Sequence, residues 1–270
     1  MAEADLFAAR RGRRKTSTLA PSRRLIVSML GLAVGTALVW QMVYLIVGRL
    51  IVASPVAVAQ QALALLGDGT LLSSISISYG RVLLGWTIGS ALSVPLGLLM
   101  ARVLLVRRVF DPYLHFFRFV PPIALVTVFL IWLGIGEESK VALIIYTTGF
   151  TGVIAAMHGA LSVDPIKIRA AQCLGASDRQ VLLWVIIPAS VPHIVTGLRI
   201  AMGSSFATII AAEMIAARSG VGFLIWDARA YMETEKIYLG LLTLSFMGLT
   251  ADLVFRLLMR PIAYRFNVKM

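Results

Sequence analysis

Charged residues are scarce in this 270-residue chain, at 14% of the sequence, whereas hydrophobic residues make up 59%. Ordinary soluble domains contain about 25% charged residues, so this much apolar surface cannot be buried in a water-soluble globule. Acidic residues are scarcer still, with 13 Asp and Glu against 25 Lys and Arg and a formal net charge of +12. The composition therefore predicts an all-α polytopic membrane protein.

Residues with catalytic or metal-binding chemistry are also few. The single cysteine, Cys173, excludes an internal disulfide and a multi-cysteine metal site. The three histidines, His115, His158 and His193, are far apart and have no acidic or cysteine partner at metal-ligand spacing. The motifs G-x-x-x-x-G-K-[ST], H-E-x-x-H and G-x-S-x-G do not occur. We therefore expect no catalytic residue, no metal and no cofactor in this chain.

The sequence contains several long apolar runs. A helix needs about 20 predominantly apolar residues to cross a bilayer. We predict six spans within one transmembrane domain, 25–260. The predicted spans cover 25–48, 74–101, 113–133, 141–161, 193–217 and 237–259. Pro121 and Pro122 interrupt the third span, and they must kink it or start its regular part.

The basic residues predict the orientation of these spans. Six spans place both termini on one side, and with that side inside the inner segments hold 17 Lys and Arg against 5 in the outer turns. This asymmetry follows the positive-inside rule. It predicts cytoplasmic tails at 1–24 and 261–270, and it accounts for most of the positive charge without nucleic acid as a partner.

Charged side chains within or at the edges of predicted spans are candidates for a translocation pathway, because charge in a bilayer is costly. The candidates are Arg81, Arg118, Arg199 and Glu213. For all of these except Arg199, snorkelling to a nearby interface is the alternative. Asp252 and Arg256 are four residues apart on one helix face, so we expect them to pair with each other or with lipid headgroups.

Small residues recur every fourth position in the second predicted span. They are Gly85, Gly89, Ser93 and Gly97. A face lined by small side chains allows another helix to approach closely in a membrane. We therefore assign these four residues to helix packing and not to a substrate site.

The segment 164–188 differs from the apolar runs, because it reads as two short helices separated by a glycine. Asp164 and Pro165 are typical of a helix start, and Gly175 is a natural terminator. A capping box of Ser177 and Gln180 begins the second helix, and Pro188 is expected to end it. Each helix is too short to cross a bilayer, so we predict a cytoplasmic docking element between spans four and five.

This docking segment resembles the cytoplasmic signature of permease subunits of binding-protein-dependent ABC importers, E-A-A-x3-G-x9-I-x-L-P. Ala170, Ala171, Gly175 and Pro188 match that signature with its spacing intact, whereas Arg169 stands where the family usually has Glu. Further segments resemble the nitrate, sulfonate and taurine branch of the family. They include SYGRVLLG (78–85), FVPPIAL (119–125), LGIGEESK (133–140), GLRIAMG (197–203), AAEMIA (211–216) and GVGFLIWDAR (220–229).

The resemblance implies a type I importer permease fold in the bacterial inner membrane, with a coupling helix in 164–188. The residues that it assigns to ATPase coupling are Asp164, Pro165, Arg169, Ala170, Ala171, Gly175, Ala176 and Pro188. The implied partners are a second permease copy, two cytoplasmic ABC ATPases that bind ATP and Mg, and a periplasmic solute-binding protein. The implied cargo is a small anion of the sulfonate, taurine, nitrate, bicarbonate or organic carboxylate type.

Two alternatives from other classes follow from the residues alone. One is a stand-alone secondary transporter or channel that uses the buried charges. The other is a helix-turn-helix DNA-binding module in 164–188, which the short tethers to membrane spans on both sides argue against.

Overall fold

The computed structural model describes residues 23–48 and 51–266, and the regular structure within them is helical, which confirms the all-α prediction. The predicted tail at 1–24 lies outside these residues up to position 22, and the predicted tail at 261–270 lies outside them from position 267. The chain forms two compact units, one ending at Pro55 and one beginning at Val56. Each unit is described by itself.

The first unit contains helix α1 (Arg23–Val47), which coincides with the first predicted span. Gly48 follows it with φ +92°, a left-handed conformation that glycine adopts without steric cost at a helix end. The indole Nε1 of Trp40 donates a hydrogen bond to the carbonyl oxygen of Ala53 at 3.0 Å. The described apolar part of α1, Val34–Val47, is shorter than a full span.

The helices that follow are, in chain order, α2 (Pro55–Gly67), α3 (Thr70–Arg102), α4 (Leu104–Phe117), α5 (Pro122–Leu133), α6 (Glu137–Leu161), α7 (Pro165–Cys173), α8 (Asp178–Val181), α9 (Ile187–Ala216), α10 (Val221–Ala230) and α11 (Thr234–Phe266). A π-helical turn, Leu182–Ile186, joins α8 to α9.

Four helices among the described residues are long and apolar enough to cross a membrane. They are α3, α6, the continuous helix Asp178–Ala216, and α11. A fifth span is obtained if α4 and α5 are counted together as one broken span. The described residues therefore do not confirm the predicted count of six.

The third predicted span, 113–133, is not one continuous helix. It is divided between α4 and α5, which are bent by 107° relative to each other. Pro121 lies between them in an extended conformation with ψ 133°. A residue that precedes a proline is disfavoured in the α region, so the pair Pro121-Pro122 ends one helix and starts the next. Arg107 and Arg108, which lie between the second and third predicted spans, are part of α4.

The prediction that Pro188 ends the second short helix is wrong. The chain remains helical through Pro188 and Pro192 as far as Ala216. The π-helical turn explains this continuity, because the N–H of Ile187 donates to the carbonyl of Leu182, five residues back. Pro188 then lies in the first turn of α9, where a missing backbone N–H is tolerated.

Helices α3 and α6 pack closely along the small-residue face of α3. A Cβ atom at Gly85 would lie 2.6 Å from the Cβ of Ile144, and one at Gly97 would lie 2.5 Å from the carbonyl oxygen of Val153. Real Cβ atoms do not approach so closely, so these positions accept only glycine without a shift of α6. Helix α9 also packs against α6, where Thr148 Oγ1 and Ser205 Oγ are 3.0 Å apart.

The turn between α2 and α3 is held by local hydrogen bonds. Gly69 has φ +78°, and the backbone N–H of Thr70 donates to Asp68 Oδ1 at 2.9 Å. This backbone hydrogen bond lowers the pKa of Asp68, because it favours the ionised carboxylate. Gly69 is therefore a glycine in the left-handed conformation that is distant in sequence from the docking segment, 164–188.

Candidate functional site

Arg81, on α3, lies at the centre of an ion-pair cluster in which Arg81 and Glu213 are buried and Glu137 is 60% exposed. Its guanidinium donates to both oxygens of Glu137, at 2.5 and 2.6 Å, and to Glu213 Oε1 at 2.6 Å. The side chain of Arg81 is 4% exposed and that of Glu213 is fully buried. Snorkelling is therefore the wrong interpretation for these two residues. Burial of such charges is tolerated because they are paired and hydrogen-bonded.

Glu213 also fixes the loop that leads into α10. Ser78 Oγ donates to Glu213 Oε1 at 2.8 Å, and the backbone N–H of Gly222 donates to Oε2 at 2.8 Å. Ser78 Oγ in turn accepts from the backbone N–H of Val221 at 3.0 Å. The cluster therefore ties together α3, the start of α6, the end of α9 and the start of α10.

Lys140 completes the charge balance of this cluster. Its Nζ lies 3.2 Å from Glu137 Oε1 and donates to the carbonyl oxygen of Gly136 at 3.2 Å. The charges of Arg81 and Lys140 thus balance those of Glu137 and Glu213. The N–H donors of Arg81 are engaged by protein groups. Glu137 and Lys140 lie between the third and fourth predicted spans and were not among the candidate residues, and their charges beside a span were the signal for this pairing.

Arg199 is likewise occupied by a protein carboxylate. Its guanidinium donates to both oxygens of Asp252, with Nη2 to Oδ2 at 2.9 Å, and thereby joins α9 to α11. Arg256 Nε lies 3.1 Å from the same Oδ2, so the predicted pairing of Asp252 with Arg256 is confirmed. The bidentate contact is the geometry in which Arg and a carboxylate interact most strongly.

A cavity of about 580 Å³ lies between α4, α5, α6 and α9. Its lining is mostly apolar, with one charged side chain and several hydroxyls. The polar lining residues are Arg118, Tyr146, Thr147, Thr151, Ser204 and Thr208. Arg118 is the one of the four pathway candidates that lines this cavity. Arg81, Glu213 and Arg199 belong to the ion-pair groups described above.

The hydroxyl hydrogens around this cavity are taken by protein acceptors. Tyr146 donates to the carbonyl of Phe117 at 2.8 Å, and Thr208 donates to that of Ser204 at 3.0 Å. Arg118 is exposed, its guanidinium carbon lies 4.6 Å from the ring centre of Phe119, and no ion pair engages it among the described residues. Arg118 is therefore the cationic group in this lining that can meet an anion.

The docking segment has the local geometry that its sequence predicts. The N–H of Ile166 donates to Asp164 Oδ1 at 2.8 Å, so Asp164 caps α7. Gly175 has φ +85°, and the N–H of the following residue, Ala176, donates to the carbonyl of Ala171 at 3.0 Å. Both halves of the capping box of Ser177 and Gln180 are present at the start of α8.

The outer surface of this segment is exposed and carries large apolar side chains among polar ones. No residue of α7 is buried, and Ile166, Leu174 and Trp184 are each more than two-thirds exposed. A groove of about 360 Å³ is lined by Leu174, Gly175, Ala176 and Trp184 among others. Exposed apolar surface on short helices between spans is typical of a protein-binding surface. Arg169 is exposed on α7 beside this surface.

The segment is attached to the transmembrane helices by a buried cluster and an ion pair. Val181 and Ile186 pack with Ala160 and Val163 from the end of α6. Arg102 Nη2, at the end of α3, lies 2.6 Å from Asp178 Oδ1 at the start of α8. Pro188 is half-buried inside the helix that continues from α8 into α9. The apolar surface is thus presented by a segment of defined geometry.

Comparison with known protein families gives one match that covers most of the chain. Residues 93–267 match the family described as binding-protein-dependent transport system inner membrane component. The matched region begins within α3 and includes the docking segment, Glu213 and the pair of Arg199 with Asp252, whereas Arg81 lies before it.

Comparison with individual proteins gives relatives of similar length. A probable ABC transporter permease protein of Brucella melitensis is 40% identical over 205 residues, covering 76% of this chain and 83% of the relative. The taurine transport system permease protein of Escherichia coli is 36% identical over 246 residues, covering 88% and 89%. A putative aliphatic sulfonates transport permease protein of Bacillus subtilis is 30% identical, covering 90% and 89%.

Solved structures with a similar fold are also transporters. The crystal structure of an amino acid ABC transporter with histidines has a TM-score of 0.58 and 17% sequence identity, covering 76% of this chain and 97% of that one. An inward-facing structure of the MetNI methionine ABC transporter has a TM-score of 0.56 and 17% identity, covering 69% and 96%. At this identity the likeness shows the fold alone.

Proposed function

Because the chain belongs to the family of binding-protein-dependent transport system inner membrane components, we propose that it moves a small anion through the cavity beside Arg118. The chain is an ABC importer permease, a transport subunit that spans the membrane. Permeases of this family work with an ATPase and a binding protein, and the energy for transport then comes from the ATPase partner.

The proposed cargo class is a sulfonate or a related small anion, such as taurine, nitrate, bicarbonate or an organic carboxylate. Relatives with high coverage are named for taurine and for aliphatic sulfonates. Arg118 supports this class because a guanidinium binds oxyanions through directed hydrogen bonds. A single cation without an ion pair in a mostly apolar lining also suits passage, since binding must be weak enough for release.

The observation that carries the ATPase-coupling part of the proposal is the exposed, capped geometry of 164–188. Leu174 and Ile166 present apolar area on the docking side, and Gly175 holds the turn between α7 and α8. We assign to ATPase contact the residues Asp164, Pro165, Arg169, Ala170, Ala171, Gly175 and Ala176, while Pro188 lies inside the helix behind them. Arg169, in the place of the family Glu, offers positive charge to the ATPase surface.

The continuous helix Asp178–Ala216 provides a direct mechanical link between docking and transport. It starts in the docking segment, lines the cavity through Ser204 and Thr208, and ends at the buried pair of Glu213 with Arg81. In this proposal a displacement of the segment by a closing ATPase pair is transmitted along one continuous helix to the cavity wall. The complete importer in this proposal has two permease copies, two ATPases that bind ATP and Mg, and a periplasmic binding protein, with both permease termini in the cytoplasm.

Cys173 offers a test of this docking surface that needs no substitution. It is the single cysteine of the chain, and it is exposed at the end of α7. We expect saturation with the cognate ABC ATPase to protect Cys173 from a thiol reagent and to shift the emission of an environment-sensitive dye attached there. An unchanged labelling rate in the assembled complex would remove α7 from the interface.

The stand-alone transporter is the second candidate, and the pairing of the buried charges argues against it. Arg81 and Arg199 are engaged by Glu213, Glu137 and Asp252, so they serve as links between helices in this structure. A gradient-driven transporter that used these charges would transport in liposomes without any ATPase.

A further inference from the structure

A second group of charges lies at the exposed junction of α9 and α11. Arg199 comes from α9, whereas Asp252, Arg256 and Arg260 recur at four-residue intervals along α11. Their side chains are partly or fully exposed, with Arg199 at 38% and Arg256 at 42%. This surface holds three guanidinium groups and one carboxylate, and Asp252 pairs with Arg199 and Arg256 only, which leaves an excess of two positive charges.

The carboxylate of Asp252 does not satisfy the arginines around it. Both of its oxygens are engaged by Arg199. Arg256 Nε lies 3.1 Å from Oδ2, yet it makes no hydrogen bond and is shielded from solvent. Arg260 lies one turn further along α11 and has no ion pair among the described residues. Arg256 thus has only a shared, partial counter-charge and a side chain that is 42% exposed, and Arg260 is exposed, so both guanidinium groups can still meet an external anion.

The position of these arginines along the helices corresponds to the depth of a lipid headgroup layer. From Ile237, the first residue after the polar start of α11, to Arg256 the helix rises about 28 Å at 1.5 Å per residue. From Ala216, at the end of α9, back to Arg199 the rise is about 26 Å. The hydrocarbon core of a bilayer is about 30 Å thick. With Ile237 and Ala216 taken as the opposite edge of the core, both helices are thus long enough to place the cluster close to its other boundary.

The side chains around the cluster are those of a lipid-facing surface. Leu249, Leu253, Leu257 and Leu258 on α11 are each more than half exposed. Acyl chains can cover such side chains while a headgroup reaches the arginines at the end of the apolar surface.

We propose that Arg256 and Arg260, with Arg199 beside them, bind the phosphate of an anionic phospholipid headgroup. Guanidinium groups suit phosphate oxygens because their N–H donors are arranged for bidentate contact. The excess positive charge favours an anionic lipid over a zwitterionic one. In the orientation that the basic residues predict, this site faces the cytoplasmic leaflet. The proposal is independent of the cargo and of the ATPase.

The test compares lipids retained by the full-length chain after purification from bilayers of equal phosphatidylglycerol and phosphatidylcholine. Native mass spectrometry counts the lipids bound per chain. We expect preferential retention of phosphatidylglycerol, and a loss of that preference of about 30-fold in R256Q/R260Q, since each basic residue near the surface contributes about 1 kcal/mol. The matched control, R107Q/R108Q, removes two arginines of α4 and should retain the wild-type preference.

R260Q alone provides a second measurement if the double variant folds poorly, because Arg260 makes no contact with Asp252. It should weaken the preference about fivefold. The proposal is overturned if R256Q/R260Q and R260Q retain phosphatidylglycerol like the wild type, or if the control loses it equally. Full displacement of the lipid by inorganic phosphate would show a free-anion site instead. Cross-linking between two chains at position 260 would show that a second copy occupies this surface.

Discussion

Replacement of Gly175 by valine should lower the affinity of the permease for its ATPase. The size of the effect follows from the left-handed backbone conformation at this position. Gly175 has φ +85°, and a Cβ atom there would meet no heavy atom within 4 Å. The cost of a side chain is therefore backbone strain and not a clash, about 1–2 kcal/mol for an L-residue in the left-handed region. If the ATPase binds the wild-type conformation of this turn, the relaxed turn of the variant must return to that strained conformation on binding. The affinity for the ATPase should therefore fall about fivefold to thirtyfold.

A matched control and a conservative variant separate docking from folding. Gly69 has φ +78° and an equally open surrounding, but it lies in the turn between α2 and α3. Gly69→Val should therefore impose similar strain without affecting ATPase affinity. Gly175→Asn should remain near the wild type, because asparagine tolerates this conformation.

The measurement is the dissociation constant of the ABC ATPase for permease variants reconstituted in nanodiscs, with melting temperature as the folding control. Equal affinity of Gly175→Val and the wild type would refute the reasoning. Equal loss in Gly69→Val would also refute it, because the effect would then reflect general destabilisation.

Three further predictions concern the helices themselves. Arg118→Gln should slow anion uptake while ATPase binding stays unchanged, and Arg118→Lys should slow it less; normal uptake kinetics in Arg118→Gln would remove this residue from the pathway. Glu213→Ala should destabilise the chain by about 1–3 kcal/mol, since the buried N–H of Gly222 loses its acceptor while Arg81 keeps Glu137 as a partner; a melting temperature equal to that of the wild type would contradict the buried pairing. Gly97→Val should force α3 away from α6 and lower the melting temperature, whereas Gly80→Val, where a Cβ atom meets nothing within 4 Å, should leave that packing intact.

Local features of the chain were predictable from the sequence because neighbouring residues determine them. The cap at Asp164, the left-handed turn at Gly175 and the capping box at Ser177 each depend on a few consecutive residues. The break at the two prolines 121 and 122 was predictable for the same reason, although the extent of the bend was not. That bend depends on how α4 and α5 pack against the rest of the chain.

Long-range pairings were not predictable in the same way. Arg81 and Glu213 are separated by 132 positions, and their contact depends on how α3 and α9 pack around α6. The prediction that Pro188 ends a helix was wrong because a π-helical turn accommodates this proline, although proline usually ends a helix. The charges of Arg199 and Asp252 identified both residues, but only the packing of α9 against α11 pairs them.

Uptake into proteoliposomes tests most directly whether this permease depends on an ATPase that docks on 164–188. The chain is reconstituted with its cognate ABC ATPase and binding protein, and uptake of radiolabelled taurine or another sulfonate is followed with and without ATP. We predict uptake that requires both ATP and the ATPase. An equal rate of uptake when the ATPase is omitted would contradict this function.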